Sequence, residues 1–384
     1  MLMADDLVPL KAAEFAEPLG QLEKLLSQPN RAFLLGAGCS KCAGLPLMAE
    51  LTDQVLDDKC VSEQTKGILH AIRQAFDGAT SITIEDCLSE LVDVLSIAER
   101  RQTLGATDCR AQVHSLSIQL EDARNAVSDI RDAIVRAIDR EDLKVEVHRD
   151  FVRAIHRSLQ SGKAGDKHPV DYFILNYDTL VEDALGRERL TVADGFSAGA
   201  TAWWNQESFN TPGVAARVFK IHGSIDWLCL EGNDILPHRI RTSRSDGRYP
   251  GKRVVIWPAA TKYRETQRDP YAQVLAFMRS TLRPQPKSEL VLAICGYRFS
   301  DSHINLELEQ ALHESQGRLT IVAFSEQHEL TGQLADWLRD PAVREQVLVY
   351  TSRGFIHGSK SVPSLTDLPW WKFEVLTRLL GGER

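Results

Sequence analysis

The chain is punctuated by short apolar runs that stop abruptly, and the first of them, Arg31–Gly36 (RAFLLG), stops at glycine. A run of this length ending at a turn residue is the pattern of a strand buried on both faces, as parallel strands are, before the chain swings into a helix. Runs of the same kind recur at 171–176 (DYFILN), 217–223 (RVFKIHG), 253–258 (RVVIWP), 289–296 (ELVLAICG), 318–324 (RLTIVAF) and 346–350 (QVLVY). Most are separated by polar or helix-like stretches. The rhythm predicts an α/β chain with a Rossmann-like, doubly wound parallel sheet and helices on both of its faces. In such a sheet ligands sit beyond the carboxyl ends of the strands, so the residues just after each run carry the chemistry.

Between the first run and the second no convincing strand is present, and the interval far exceeds the single crossover helix of a βαβ unit. A helical insertion is expected at 51–165. Within it Val113, Leu116, Leu120, Ala123, Val127, Ile130, Ile134 and Ala137 alternate spacings of three and four, which predicts one long helix with a continuous apolar seam. Leu88, Leu91, Val92 and Leu95 form a second stripe, and two readings stand: a helical module packed on itself, or an oligomer contact. The domain built on the sheet is expected to be formed by about 20–50 and 166–360, with a C-terminal helical tail at 361–384 that carries PWWKFEVLTRLL. Residues 238–252 (HRIRTSRSDGRYPGK) read as an exposed basic loop, either solvated or a contact for phosphate or nucleic acid.

Hydrophobic residues at 43% and charged residues at 26% exclude wholesale disorder and fibrous repeats. The net charge of −8 disfavours a broad nucleic-acid-binding surface. Seven cysteines, an odd number scattered through a long chain, read as reduced thiols rather than a disulfide framework. The opening MLMADDLVPLKAAEF has no basic region followed by an apolar run, and no stretch approaches the roughly 18 apolar residues of a membrane span. A soluble, cytoplasmic protein is expected.

The most restrictive local pattern is Gly36-Ala37-Gly38-Cys39-Ser40 followed by Gly44-Leu45-Pro46, set directly after the first predicted strand. Glycines let a backbone turn tightly and approach a pyrophosphate, a following helix offers free N–H groups and a positive dipole end, and the Ser40 hydroxyl adds a donor. Three other segments fall at predicted strand ends: Asn176-Tyr177-Asp178, Ile221-His222-Gly223-Ser224, and Cys295-Gly296-Tyr297-Arg298-Phe299 running on to Asp301, His303 and Asn305. An imidazole titrates near neutrality and suits proton transfer, and an asparagine amide can orient water or a hydroxyl.

Taken in order, these four segments resemble the signatures of the sirtuin family. The resemblance implies a sirtuin-like NAD-binding fold in which Gly36, Ala37, Gly38, Ser40, Gly44, Pro46, Gly223, Gly296, Tyr297 and Asn305 contact NAD. It also implies that Asn176 and His222 serve the chemistry, while Asp178 either stabilises a cationic sugar or holds the loop. His303 reads as a helix-start residue in preference to a second base.

The sequence departs from protein-deacylating sirtuins at three places. Leu47-Met48-Ala49-Glu50 follows the Gly-x-Pro turn, Leu175 stands where those enzymes carry glutamine, and only one Cys-x-x-Cys pair is present, Cys39 and Cys42, inside the glycine loop. A zinc module needs two such pairs, so no metal is expected. The helical insertion, including IEDCLSEL at 84–91, and VVIWPAATKY at 254–263 are similar to bacterial antiphage sirtuin-like proteins. That likeness implies an NAD glycohydrolase with NAD as substrate, giving ADP-ribose and nicotinamide and depleting NAD as a defence effector. It implies a homo-oligomer and a hetero-complex with a HerA-type ATPase. A non-catalytic NAD- or ADP-ribose-binding subunit and an NAD-dependent protein deacylase are the other readings.

Overall fold

Arg31–Leu35 is the strand that the first apolar run predicts, and all five of its residues are buried. It lies inside a nine-stranded sheet, the frame of the computed structural model, which describes residues 4–76, 82–114, 116–160, 168–197, 199, 201–230, 236–240, 251–255 and 269–383. Across the sheet the strands are Lys360–Pro363, Gly354–His357, Val347–Thr351, Leu319–Ser325, Leu290–Cys295, Arg31–Leu35, Val170–Ile174, Ala216–Lys220 and Val192–Ala193. The first two of these make an edge hairpin that joins Val347–Thr351 antiparallel, and the pairings from Val347–Thr351 onward are parallel.

The unbroken apolar character of the central strands follows from burial on both faces. Successive side chains of a strand point to opposite sides. Tyr172 accordingly joins Phe33 and Phe151 in one aromatic cluster, while its neighbour Phe173 stacks on Phe219, which stacks on Phe209. Phe151 comes from the helix Glu146–Gln160. The sheet is therefore the Rossmann-like, mostly parallel α/β architecture that the rhythm of apolar runs predicts.

By contacts the chain forms two compact units. The first comprises Met1–Gly44, Lys144–Arg253 and Asp269–Arg384, and the second Leu45–Leu143 with Val254–Arg268. The first unit holds the nine-stranded sheet and the terminal helix Phe373–Leu380, whose Phe373, Val375 and Leu376 are buried. In the second unit the helices Met48–Asp57, Glu63–Gln74 and Ile84–Thr103 each pack against Leu120–Ile138. Asp129 of that helix accepts hydrogen bonds from the hydroxyls of Ser62 and Thr65, each 2.7 Å, at the start of Glu63–Gln74.

Two expectations are corrected. The seam does not begin in a helix: Ala111–Val113 and Leu116–Ile118 pair as a short antiparallel hairpin, and the helix starts only at Leu120. Val113 is buried there by a strand's two-residue alternation, which in so short a stretch coincides with helical spacing. The segment RVVIWP enters the strand Gly251–Val255, which belongs to a separate five-stranded sheet rather than the central one. The edge hairpin Gly354–His357 and Lys360–Pro363, exposed along most of its outer strand, lacks the apolar run that marks its neighbours. Positions 241–250 of the basic loop, 256–263 of VVIWPAATKY, and 77–81 and 161–165 of the insertion lie outside the described residues. Among the described residues no helix is long and apolar enough to cross a membrane.

Beneath the sheet His156 is buried and bonded to the Tyr172 hydroxyl at 3.0 Å. Burial, aided by Arg31, lowers its pKa to about 4. The fold thus favours the neutral ring, and this contribution is complete above the unfolded value near 6.5 and is lost as pH falls from there to 4. The loss is on the order of 3 kcal/mol at the acid end. Urea melts of wild type and His156→Gln should show a steeper loss of stability between pH 6.5 and 4 in the wild type.

Candidate functional site

Pairing register sets four loops side by side. Leu35 is abreast of Cys295 on one side and Ile174 on the other, and Ile174 is abreast of Lys220. The residues that follow, Gly36, Gly296, Leu175-Asn176 and Ile221-His222, leave the same edge of the sheet together. From Arg31–Leu35 the chain continues to Val170–Ile174 and Ala216–Lys220 on one side, then restarts at Leu290–Cys295 on the other. Neighbouring loops diverge at such a reversal and open the crevice where open α/β sheets bind nucleotides.

The two glycine segments meet at that reversal. Gly36 N–H donates to the Cys295 carbonyl at 2.9 Å, and Gly38 N–H to the Gly296 carbonyl at 3.0 Å. A β-carbon on Gly36 would lie 2.5 Å from the Gly296 oxygen, one on Gly38 2.7 Å from the Gly296 α-carbon, and one on Gly296 2.4 Å from the Cys39 nitrogen. Gly296 also has a φ of +63°. These glycines are required by backbone lying on backbone. Gly44, with a φ of +98°, has open space around it, and Pro46 belongs to the second unit.

The helix expected directly after the loop is replaced by two 3-10 turns, Ala37–Cys39 and Lys41–Ala43. The N–H groups of Cys39, Ser40, Ala43 and Gly44 are spent on carbonyls within those turns. The first α-helix after them is Met48–Asp57.

Asn176, Ser40 and Asp178 form one directed chain. The Asn176 amide nitrogen donates to the Gly36 carbonyl at 3.1 Å and to Ser40 Oγ at 2.7 Å, and Ser40 Oγ donates to Asp178 Oδ2 at 2.7 Å. A backbone carbonyl can only accept, which settles the amide's orientation. The Ser40 proton is thereby committed to Asp178 instead of a ligand. The other Asp178 oxygen accepts the Leu180 N–H at 3.1 Å. Both Asp178 oxygens are thus engaged, and the side chain is buried.

The Asn176–Asp178 turn is gripped from the neighbouring strands. Lys220, buried at the end of Ala216–Lys220, donates to the Asp178 carbonyl and lies 3.4 Å from Glu182. Burial pushes the Glu182 carboxyl up, to about 7, against the pull of Lys220. The Tyr177 carbonyl accepts the Ile225 N–H at 3.0 Å and the Ser224 hydroxyl at 3.3 Å. A lysine set between the apolar Val218-Phe219 and Ile221 is the sequence signal for this clamp, since a buried lysine needs partners.

His222 is 3% exposed, and Gly223 after it turns the chain with a φ of +81°. Its Nε2 lies 3.5 Å from Nε2 of His303, the second residue of the helix Ser302–Ser315. Tyr297 and Asn305 are tied to each other: the Tyr297 hydroxyl donates to Asn305 Oδ1 at 3.0 Å, and Asn305 Nδ2 donates to the Phe299 carbonyl at 2.7 Å. They brace the late loop. His148, which nothing in its surroundings in the sequence singles out, is 1% exposed with its Nδ1 buried and unbonded. Burial lowers its pKa to about 4, with Asp178 opposing.

The Cys-x-x-Cys pair faces inward. Burial raises the Cys39 thiol well above its ordinary range and the Cys42 thiol to about 12, and Cys42 Sγ donates to the Cys39 carbonyl. Among the described residues no group of three or more His, Cys, Asp or Glu side chains is placed to hold a metal ion. Leu175 is buried and its N–H bonds the Leu35 carbonyl at 3.0 Å.

Residues 171–345 match the family described as SIR2-like domain. The span contains Asn176–Asp178, His222–Ser224 and Gly296–Asn305 and begins after the first glycine loop. The match supports a Sir2-type family and an NAD-related function. None of the curated proteins compared with the chain matches it.

Gly296→Ala should cost the left-handed penalty of about 1–2 kcal/mol plus separation of the two loops, whereas Gly44→Ala should cost the penalty alone. Ser40→Ala leaves a buried Asp178 oxygen without its donor and should cost about 1–3 kcal/mol. Denaturant melts of the three variants check this ranking.

Proposed function

We propose that the chain is an NAD glycohydrolase, which cleaves NAD to ADP-ribose and nicotinamide. The observation that carries this reading is the setting of Asn176 and His222 on adjacent strand ends, beside paired glycine loops at the reversal point of the sheet. Residues there suit a dinucleotide: close-packed glycine backbone, a buried imidazole and an oriented amide, within a chain whose residues 171–345 match the SIR2-like domain.

Breaking the bond between ribose C1′ and the nicotinamide nitrogen sends its electron pair to nicotinamide and develops positive charge on the sugar. Water then forms the new C1′–O bond and gives up a proton. His222 is the group suited to take that proton, and Asn176, whose two hydrogen bonds use only the amide nitrogen, keeps a carbonyl oxygen to orient the water or a ribose hydroxyl. Asp178, engaged on both oxygens, supports Ser40 and the turn. Apolar Leu175 beside Asn176 speaks against the deacylase reading.

The biological setting is carried by sequence resemblance alone. It is that of an antiphage effector depleting NAD, assembled as a homo-oligomer and with a HerA-type ATPase. Mass measurement with and without such an ATPase tests the assembly.

Purified protein incubated with NAD, alone and with the ATPase, should release nicotinamide without an acyl-peptide. His222→Ala should lower the rate by about 10²–10⁴-fold, the usual contribution of a positioned acid or base. Calorimetric NAD binding with no product in any assembly state would favour the binding subunit, and acyl-peptide-dependent release would favour a deacylase.

A further inference from the structure

His222 and His303 come from different elements, a strand end and a helix start, yet their Nε2 atoms face each other at 3.5 Å with ring centroids 5.6 Å apart and planes at 48°. Two lone pairs facing at this separation repel, and so do two N–H groups. Only one N–H directed at one lone pair is attractive. We infer that the two imidazoles share a single proton, and that His303 is the positioning residue that sets the ring of His222 and passes its proton towards solvent. The second half of the inference rests on the hydrolase reading of His222; the shared proton does not.

Two features support the assignment. His222 is buried whereas His303 is partly exposed, so the pair runs from the interior towards water. His303 is held in place by its own loop: the Tyr297 hydroxyl accepts the Asp301 N–H at 3.1 Å and donates to Asn305, fixing the first turn of the helix.

The other titratable groups on these elements have separate places. Lys220 is on the Asp178 carbonyl and Glu182, and Glu307 pairs with Arg279 at 2.5 Å, while Asp226 on Gly223–Leu230 and Asp301 at the helix start are the carboxyls nearest the pair in sequence. In the reaction the proton lost by water as C1′–O forms goes to the imidazole pair, and from His303 to solvent. Nicotinamide leaves neutral with the electron pair of the broken C1′–N bond, so charge and atoms balance.

The test is ring-nitrogen NMR of the full-length, chelator-treated protein across pH, with His303→Gln and His222→Gln, alongside nicotinamide release. The expected result is two well-separated titration steps for the pair and a single step for the remaining ring in either variant. His303→Ala should lower kcat by about 10–100-fold with KM little changed, as loss of an orienting partner does, and His303→Gln should recover part of it with an altered pH profile. Independent titration of both rings would overturn the shared proton, as would coupling that vanishes on chelation and returns with zinc, the mark of a bridging metal. An active enzyme indifferent to His303→Ala would overturn the proton route. Coupled rings in a protein that releases no nicotinamide would sustain the shared proton and sink the hydrolase reading instead.

Discussion

Two stretches of backbone lying against each other, Gly36–Gly38 on Gly296, are the constraint on which the rest of the site depends. They follow adjacent parallel strands at the point where the sheet reverses its order. A side chain at any of the three positions would drive the loops apart. Because the Gly36 carbonyl also receives the Asn176 amide, and Asn176 holds Ser40, which holds Asp178, the position of one glycine loop is transmitted to every polar group beside it.

A second clamp works from the other side. Lys220 extends the apolar strand Ala216–Lys220 by one charged residue and fastens the Asp178 carbonyl, while Ser224 and Ile225 take the Tyr177 carbonyl. The Asn176–Asp178 turn is thus held by hydrogen bonds from Lys220 of the neighbouring strand and from Ser224 and Ile225 of Gly223–Leu230. His222, one residue beyond Ile221, inherits its place from this clamp. The polar groups near the strand ends are largely satisfied by one another, which keeps a buried constellation of a lysine, two carboxylates and an amide from carrying unpaired charge.

Much of the sheet was legible because buried parallel strands write themselves as apolar runs. Arg31–Leu35, Val170–Ile174, Ala216–Lys220, Leu290–Cys295, Leu319–Ser325 and Val347–Thr351 all fall on such runs. The strands that escaped include the short Val192–Ala193, the edge hairpin after Thr351, Ala111–Val113, whose alternation over three residues imitates a helix, and two of the smaller sheet, Gly223–Leu230, where polar residues interrupt the apolar ones, and His238–Ile240, at the start of what reads as an exposed basic loop. At the site, glycines and strand-end polar residues were readable one by one. Their partnerships were not. His303 follows a predicted loop and looks like an ordinary helix start, and His148 sits inside an amphipathic helix with no local mark of a site.

The sequence by itself determined the parallel α/β sheet, the glycine loop after its first strand and the identity of the residues at the strand ends, because each depends on local spacing of apolar, glycine and polar side chains. Only the tertiary structure decided what those residues do for one another. Register brings Leu35, Cys295, Ile174 and Lys220 abreast, and that alone sets Gly296 on Gly38, Lys220 on Asp178 and His303 on His222. Such contacts join residues far apart in the chain, and local spacing carries no record of which strand will lie beside which.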